Sequence, residues 1–221
     1  MKPLTKNTPK RTSKSTPKSN QSKAKLIHST IELVEEKGFD AVSLREICAH
    51  SNQNLASISY HFGNKDALFQ TVINGYYIDI AQLCKNNLVE YQSENETTSL
   101  QDILRCFIRP TVMLDHPGIS LKLHRAMHTY TLMQKKDNLP LQNTTFKDCI
   151  TAFTKEIHAA CPHISQKQAL RLLRLIKGAT LNTLIMEFNE TEALPSTNKR
   201  EKMLNQLIDF YSAYVVNGGT L

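Results

Sequence analysis

Between Gln53 and Lys65 the chain sets amide, hydroxyl, phenol, imidazole and ammonium groups side by side, with no carboxylate among them. Gln53 and Asn54 carry side-chain amides of the kind that pair bidentately with an adenine edge, and Ala56, Ser57 and Ser59 are small enough to let a helix backbone approach base edges. Tyr60, His61 and Lys65 can donate to phosphate oxygens. Asn64 stands where it can cap a following helix, whose first N–H groups would add an anion site beside Lys65. Upstream, the Ser43 hydroxyl and Arg45 are further phosphate donors. These residue types fit contact with a duplex nucleic acid.

Such groups act together only if short helices hold them on one surface. Ile27, Ile31 and Val34 recur at i, i+4, i+7 with Thr30 on the same stripe, predicting a first helix over 22–37 that stops at Gly38. Ser43-Leu-Arg-Glu46 reads as a capping box opening a second helix, with Leu44, Ile47 and Cys48 on one face. A third is expected over 54–61, with Leu55, Ile58 and Phe62 turned inward and Ala56, Ser57, Ser59 and Tyr60 outward. Two short helices joined by a tight turn and braced by a third form the helix-turn-helix that sets a helix into a DNA major groove.

The run from Ala24 through ELVEEKGFDAVSLREICAHS to NLASISYHFGNKDALFQTVI resembles the tetracycline-repressor (TetR/AcrR-like) family of bacterial transcriptional regulators, and KGFDAVSLREI combined with YHFGNKDAL is highly specific. The likeness covers about fifty residues by sequence, and the remainder only in length and helical patterning. It departs from the family at Asn52, where Gly is common; at Leu55, where a polar or basic side chain is frequent; and at Ser59–Tyr60, where the aromatic stands one position later. Asn tolerates the left-handed backbone that such a turn needs. The resemblance implies a homodimer on a pseudo-palindromic operator in double-stranded DNA, acting as a ligand-responsive repressor in the cytoplasm. It also implies an unidentified small-molecule effector and no cofactor.

Charge divides the chain unevenly. The 221 residues carry a formal net charge of +7, yet residues 1–25 hold eight Lys and Arg and no acid, while residues 26–75 hold three basic groups against six acidic ones. The Lys-, Ser- and Pro-rich stretch 1–21 has too little to bury to repay its backbone entropy and is expected to be a disordered basic arm. Lys10, Arg11, Lys14, Lys18 and Lys23 would meet DNA phosphates. Pro3, Pro9 and Pro17 are expected to break any helix there, and Lys in place of Arg argues against a transit peptide. The rest divides into a head over 22–68 and a larger helical effector-binding and dimerisation domain over 69–221.

In that larger domain helices are expected near 65–91, from Ser99-Leu-Gln-Asp102, from Pro117, and over 140–160, 166–190 and 198–217, the last stopped by Gly218–Gly219. Ser165-x-x-Gln168 opens the penultimate one. No alternating pattern or repeat occurs, so the fold class is all-α. Cys106, Phe107, His124, Met127, His128 and Phe153 are candidates for an effector pocket. His124 and His128, at i, i+4, can face one ion, but Arg125 stands where the zincin pattern needs Glu, and no metal is expected. Leu175, Gly178, Ala179, Asn182, Leu207 and Tyr211 are candidate dimer contacts between two apolar helices. Five scattered cysteines suit buried small hydrophobes in a reducing compartment. No stretch is apolar enough to span a bilayer, so no membrane partner is expected. An enzyme finds no Gly-rich phosphate loop, nucleophile elbow or apolar carboxylate pair to support it. A protein-interaction bundle with a membrane-seeking polybasic tail is the third reading.

Overall fold

The computed structural model describes residues 17–114, 116, 119–133, 144–187 and 195–217, and among these every regular element is a helix. The head comprises α1 (Pro17–Ala41), α2 (Leu44–Ser51) and α3 (Leu55–Phe62). Next come α4 (Lys65–Glu94), α5 (Leu100–Met113) and α6 (Leu121–Met133), then α7 (Thr144–Ala160), α8 (Gln166–Glu187) and α9 (Thr197–Val216).

Most starts follow from side chains. Ser43 and Ser99 each close a capping box, with Glu46 and Asp102 respectively, and Asn54, Asn64 and Ser196 cap the starts of α3, α4 and α9. Ser165 and Gln168 exchange the reciprocal bonds of a third box at α8. The start of α1 departs from expectation. It begins at Pro17, inside the stretch expected to be disordered, because Pro at the first helical position loses no bond and brings a pre-set φ. The helical path breaks at Gly38 (φ 77°, ψ 165°), a backbone conformation that favours glycine. Pro117, Gly218 and Gly219, where a start and a stop are expected, lie outside the described residues, and α6 opens instead at Ser120, whose Oγ accepts from the Leu123 N–H at 3.1 Å.

The α1 stripe is also rotated from expectation. Leu26, Thr30, Leu33 and Val34 are buried, while Ile27 and Ile31 are half-buried. Leu26 and Leu33 complete the seam that Ile27 and Ile31 were expected to line, about 100° away on the helix wheel.

A continuous apolar core runs from Leu26 in the head to Val215 in α9. The element that links the two ends is α4, about 45 Å long at 1.5 Å per residue. Its first turns bury Leu68, Phe69 and Val72 beside the head, and later ones bury Ile80, Cys84 and Leu88. At the joint, the Phe39 ring (α1) lies 4.9 Å from that of Phe69 (α4) and 4.2 Å from that of Tyr130 (α6). Farther out, Arg109 of α5 reaches Glu201 of α9 at 2.8 Å.

Candidate nucleic-acid interface

The geometry of α2 and α3 depends on one left-handed residue. Asn52 adopts φ 52°, ψ 44°, and its N–H donates back to the last carbonyls of α2. The Gln53 N–H reaches the Cys48 carbonyl at 2.9 Å. This turn lets Asn54 start α3 after two residues, with Ile58 as the buried anchor.

Around that anchor the outward positions fall where the residue types need them. Ala56, Ser59 and Tyr60 are exposed, Tyr60 at 70%, and Ser57 and His61 are half-buried at the edges. The Tyr60 and His61 rings meet edge to face at 4.9 Å. Leu55 is a correction. Expected to face inward, it is 50% exposed, because it occupies the first helical position and its Cβ points back past the helix start, beyond the cover of α1 and α4. It therefore joins the outward face as an apolar group.

Both amide residues at the turn are engaged within the head. Gln53 Oε1 accepts from the Ser22 hydroxyl at 2.6 Å, and its Nε2 donates to the Asn52 carbonyl. Asn54 Oδ1 caps Ser57 N–H at 2.9 Å. Each keeps N–H donors for a partner, but Asn54 Oδ1 already accepts from both the N–H and the hydroxyl of Ser57, whereas Gln53 Oε1 keeps one acceptor site beside its bond from Ser22. Sequence periodicity missed Ser22, since nothing local marks a serine on α1 as the clamp of a turn 31 residues away.

The second helix presents Arg45 to solvent, while Ser43 is committed to its box with Glu46 at 2.7 Å. Lys37 lies 2.5 Å from the same carboxylate, and together with the Ser43 hydroxyl and N–H it holds Glu46 down to about 2. Glu32, beside His28 and His50, lies on α1 away from α3. The acids of this region stand on α1, at the foot of α2 and, as Asp66, in the first turn of α4, and α3 itself carries none.

Cations frame that face. Lys65 opens α4 with its ammonium 5.0 Å from the Phe69 ring, and Lys23 reaches over the Phe62 ring at 5.7 Å. Lys18 and Lys23 are exposed on α1, which brings the chain from residue 17 in beside α3 through the Ser22–Gln53 bond. Lys10, Arg11 and Lys14 lie outside the described residues.

The candidate effector residues do not line one cavity. Cys106, Met127 and Phe153 are packed into the core, and His124 is buried with its Nδ1 bonded to the Tyr76 hydroxyl. Burial pushes His124 down to about 4, so it is a neutral ring. Among the described residues no three His, Cys, Asp or Glu side chains converge on a metal position. All five cysteines are buried free thiols. Phe107 borders a cavity of about 30 Å³, and His128 lines a separate groove of about 530 Å³ between α4, α6, α7 and α8. The key residue of that groove, Lys177, was not foreseen. The α8 stripe Leu173, Ile176, Lys177, Thr180, Leu184 runs i, i+3, i+4, i+7, i+11, and a lysine on such a stripe is the signal that was available. A further opening of about 550 Å³, lined by charged groups such as Glu36, Asp40 and Lys122, lies between α1 and α6 beside the Phe39–Tyr130 contact.

On α8 the outward residues include Leu175, Gly178 and Asn182, with Ala179 half-buried. On α9 Tyr211 is buried and Leu207 half-buried, so Tyr211 belongs to the core and the outward aromatic is Phe210, 66% exposed. Met186 and Val216 are exposed as well, and periodicity does not single them out.

Comparison with known proteins agrees with this geometry. Residues 26–72 match the family described as bacterial regulatory proteins, tetR family. A probable HTH-type transcriptional regulator of Bacillus subtilis, YttP, is 38% identical over 55 residues, which span 25% of this chain and 27% of that protein. The negative transcriptional regulator IcaR of the biofilm operon of Staphylococcus epidermidis is 23% identical over 141 residues, covering 62% of this chain and 72% of the relative. In fold, a transcriptional regulator from Aquifex aeolicus superposes with a TM-score of 0.57 over 87% of this chain and 98% of its own, at 20% identity. The matched stretch is the α1–α4 segment that holds the turn at Asn52 and the outward face of α3, and over that segment the chain is similar to the tetR family of bacterial regulatory proteins.

Proposed function

We propose that the protein is a ligand-responsive transcriptional repressor that holds a pseudo-palindromic operator in double-stranded DNA as a homodimer. Its family consists of transcriptional regulators, not enzymes. The observation that carries the reading is the acid-free outward face of α3, where Ala56, Ser59 and Tyr60 stand exposed between the cations of α1 and Lys65. In this reading α3 lies in the major groove, with Ala56 and Ser59 nearest the bases and Leu55 against a thymine methyl. Tyr60, Lys65 and Arg45 hold phosphates and fix the register.

Three basic groups over residues 26–75 give the head little general affinity, since salt dependence scales as about 0.9 per phosphate neutralised. Residues 1–25 supply it in this reading, since α1 sets Lys18 and Lys23 beside the reading helix. Two copies meet through α8 and α9, whose Leu175, Met186, Phe210 and Val216 leave apolar area that a lone chain does not cover. An effector in the body releases DNA only by preferring the non-binding arrangement of the heads, since equal affinity for both shifts nothing. The Phe39–Phe69–Tyr130 contact is the joint through which α4 and α6 would pass that preference to α1.

No helix among the described residues is long and apolar enough to cross a membrane, and the working compartment in this reading is the bacterial cytoplasm. The test is selection of bound sites from random duplex DNA at physiological salt. An enriched palindrome with half-sites about one helical turn apart, or a multiple of it, supports the reading. Binding that enriches no sequence overturns it and favours a polybasic interaction module.

A further inference from the structure

Lys177 sits where a lysine is costly. Its Nζ lies 4.1 Å from the centre of the Tyr77 ring and 4.2 Å from that of Phe146, clasped between α4 and α7. Two π faces attract a cation but do not replace the water that a half-buried ammonium gives up, and a charge so placed ordinarily has an opposite charge beside it. Among the described residues no carboxylate lies within ion-pair distance of Lys177, and its surroundings are themselves short of negative charge. The groove that it closes, about 530 Å³ in volume, takes its other charged or titratable groups from Tyr77 on α4, His128 on α6, Lys147 on α7 and Arg174 on α8, and no described Asp or Glu lines it. Behind Lys177 stand the thiols of Cys84 on α4 and Cys149 on α7, together with Thr180, whose hydroxyl is buried without a partner among the described residues. Burial lowers Lys177 to about 7 against an opposing pull from the Cys84 and Cys149 thiols, and burial, with the proximity of Lys177, lowers His128.

The remaining walls are apolar. Leu132, Ile150, Leu170, Leu173 and Leu181 form a trough that leads from the surface to the ammonium. An apolar channel ending on one half-buried ammonium with no carboxylate beside it is complementary to a molecule with an apolar body and an anionic head. A fully charged phosphate dianion would ask for two such cations, whereas the exposed Lys147 and Arg174 remain in solvent.

We propose that this groove binds an aliphatic or aromatic carboxylic acid, its carboxylate against Lys177 Nζ between the Tyr77 and Phe146 rings and its apolar body along the leucines. This rests on the reading that the body holds the effector, and gives that effector a chemical class. Binding draws a proton onto Lys177, because an adjacent anion raises an ammonium's affinity for its proton.

The experiment is calorimetric titration of the full chain with decanoate, decanol and decyltrimethylammonium at about pH 8, in buffers of different ionisation enthalpy. Decanoate is expected to bind about tenfold or more tightly than decanol, as one desolvated charge pair would give, with close to one proton taken up. Decyltrimethylammonium is expected to bind least. Lys177→Met, which keeps the stem and removes the charge, erases both the preference and the proton uptake. Lys147→Gln, on the exposed rim, leaves both unchanged. Equal binding of decanoate and decanol to the unaltered chain, or no binding of decanoate, overturns the proposal without reference to any variant. Adding the selected duplex separates the two readings. Decanol that binds as tightly as decanoate and releases DNA overturns the carboxylate while keeping the effector groove; decanoate that binds with its proton but leaves DNA affinity unchanged keeps the carboxylate and overturns the effector reading.

Discussion

Head and body use the same material, amphipathic helices around one core, and place function on opposite sides of it. In the head, α2 and α3 have eight residues each, and Ile47 and Ile58 anchor them. What acts is whatever points away from those anchors. In the body the helices run from 13 to 30 residues, and what acts is a fault in the packing, a lysine where the apolar stripe of α8 should continue. A short helix therefore declares its working face by elimination, whereas a long one conceals its working residue among those that look like core.

The sharpest way to break that contrast is to ask whether the two regions are separate at all. Phe153, fully buried in the body, is expected to cost about 3–5 kcal/mol when cut to Ala. Because α4 belongs to both cores, urea unfolding of Phe153→Ala followed by circular dichroism should remain a single transition at lower midpoint. Two transitions would mean that the head folds by itself and that the shared helix does not couple it.

The opposite substitution touches function alone. Ala56→Glu sets a carboxylate on the acid-free face of α3, where repulsion from DNA is worth several kcal/mol, so affinity for the selected duplex should fall about a hundredfold or more. Ala56 is exposed and Glu is a good helix former, so the unfolding midpoint should hardly move. Fluorescence anisotropy and thermal melting, read together, check both halves.

A smaller effect tests the frame of the head. Ser43→Ala removes the capping box of α2 and is expected to cost about 0.5–2 kcal/mol, with DNA affinity following only through α3's placement. Glu46 adds a pH signature. Its folded value near 2 lies below the ordinary 4.5, so its contribution is complete above about 4.5 and is lost as the pH falls towards 2. Carbon-detected titration of the Glu46 carboxyl should show the low value in the intact chain and a rise in Lys37→Met.

Much of this was readable beforehand, for a physical reason. Caps and turns are local: Ser43 with Glu46 and Asn64 with Ala67 each depend on neighbours within four residues, so the residue types alone foretold them, while the left-handed Asn52 followed from the family resemblance. What depends on distant partners was not readable. Leu55 fits the inward period, but no element lies over the start of α3 to receive it. Gln53 and Asn54 have the right chemistry for a base edge, yet Ser22 holds the Gln53 oxygen towards α1 and the helix start takes both acceptor sites of Asn54. Tyr211 and Phe210 are adjacent on α9, and only the position of α5 decides which is buried. The effector candidates divide in the same way: Cys106, Met127 and Phe153 have the periodicity of a lining and the burial of a core, while His128 lines the groove and Phe107 borders the smaller cavity.

The central claim is a division of labour, in which α3 chooses the sequence while the first residues of the chain supply attraction to any duplex. The measurement is the affinity of the full chain, and of a chain begun at Pro17, for the selected duplex and for a scrambled one across a salt series. The account predicts that losing the five basic groups of residues 1–16 weakens both duplexes in parallel. It also predicts a salt slope flattened by up to about 0.9 for each phosphate no longer neutralised, and an unchanged ratio between the two duplexes. A ratio that collapses on truncation, or a slope and affinity that do not change, would contradict it.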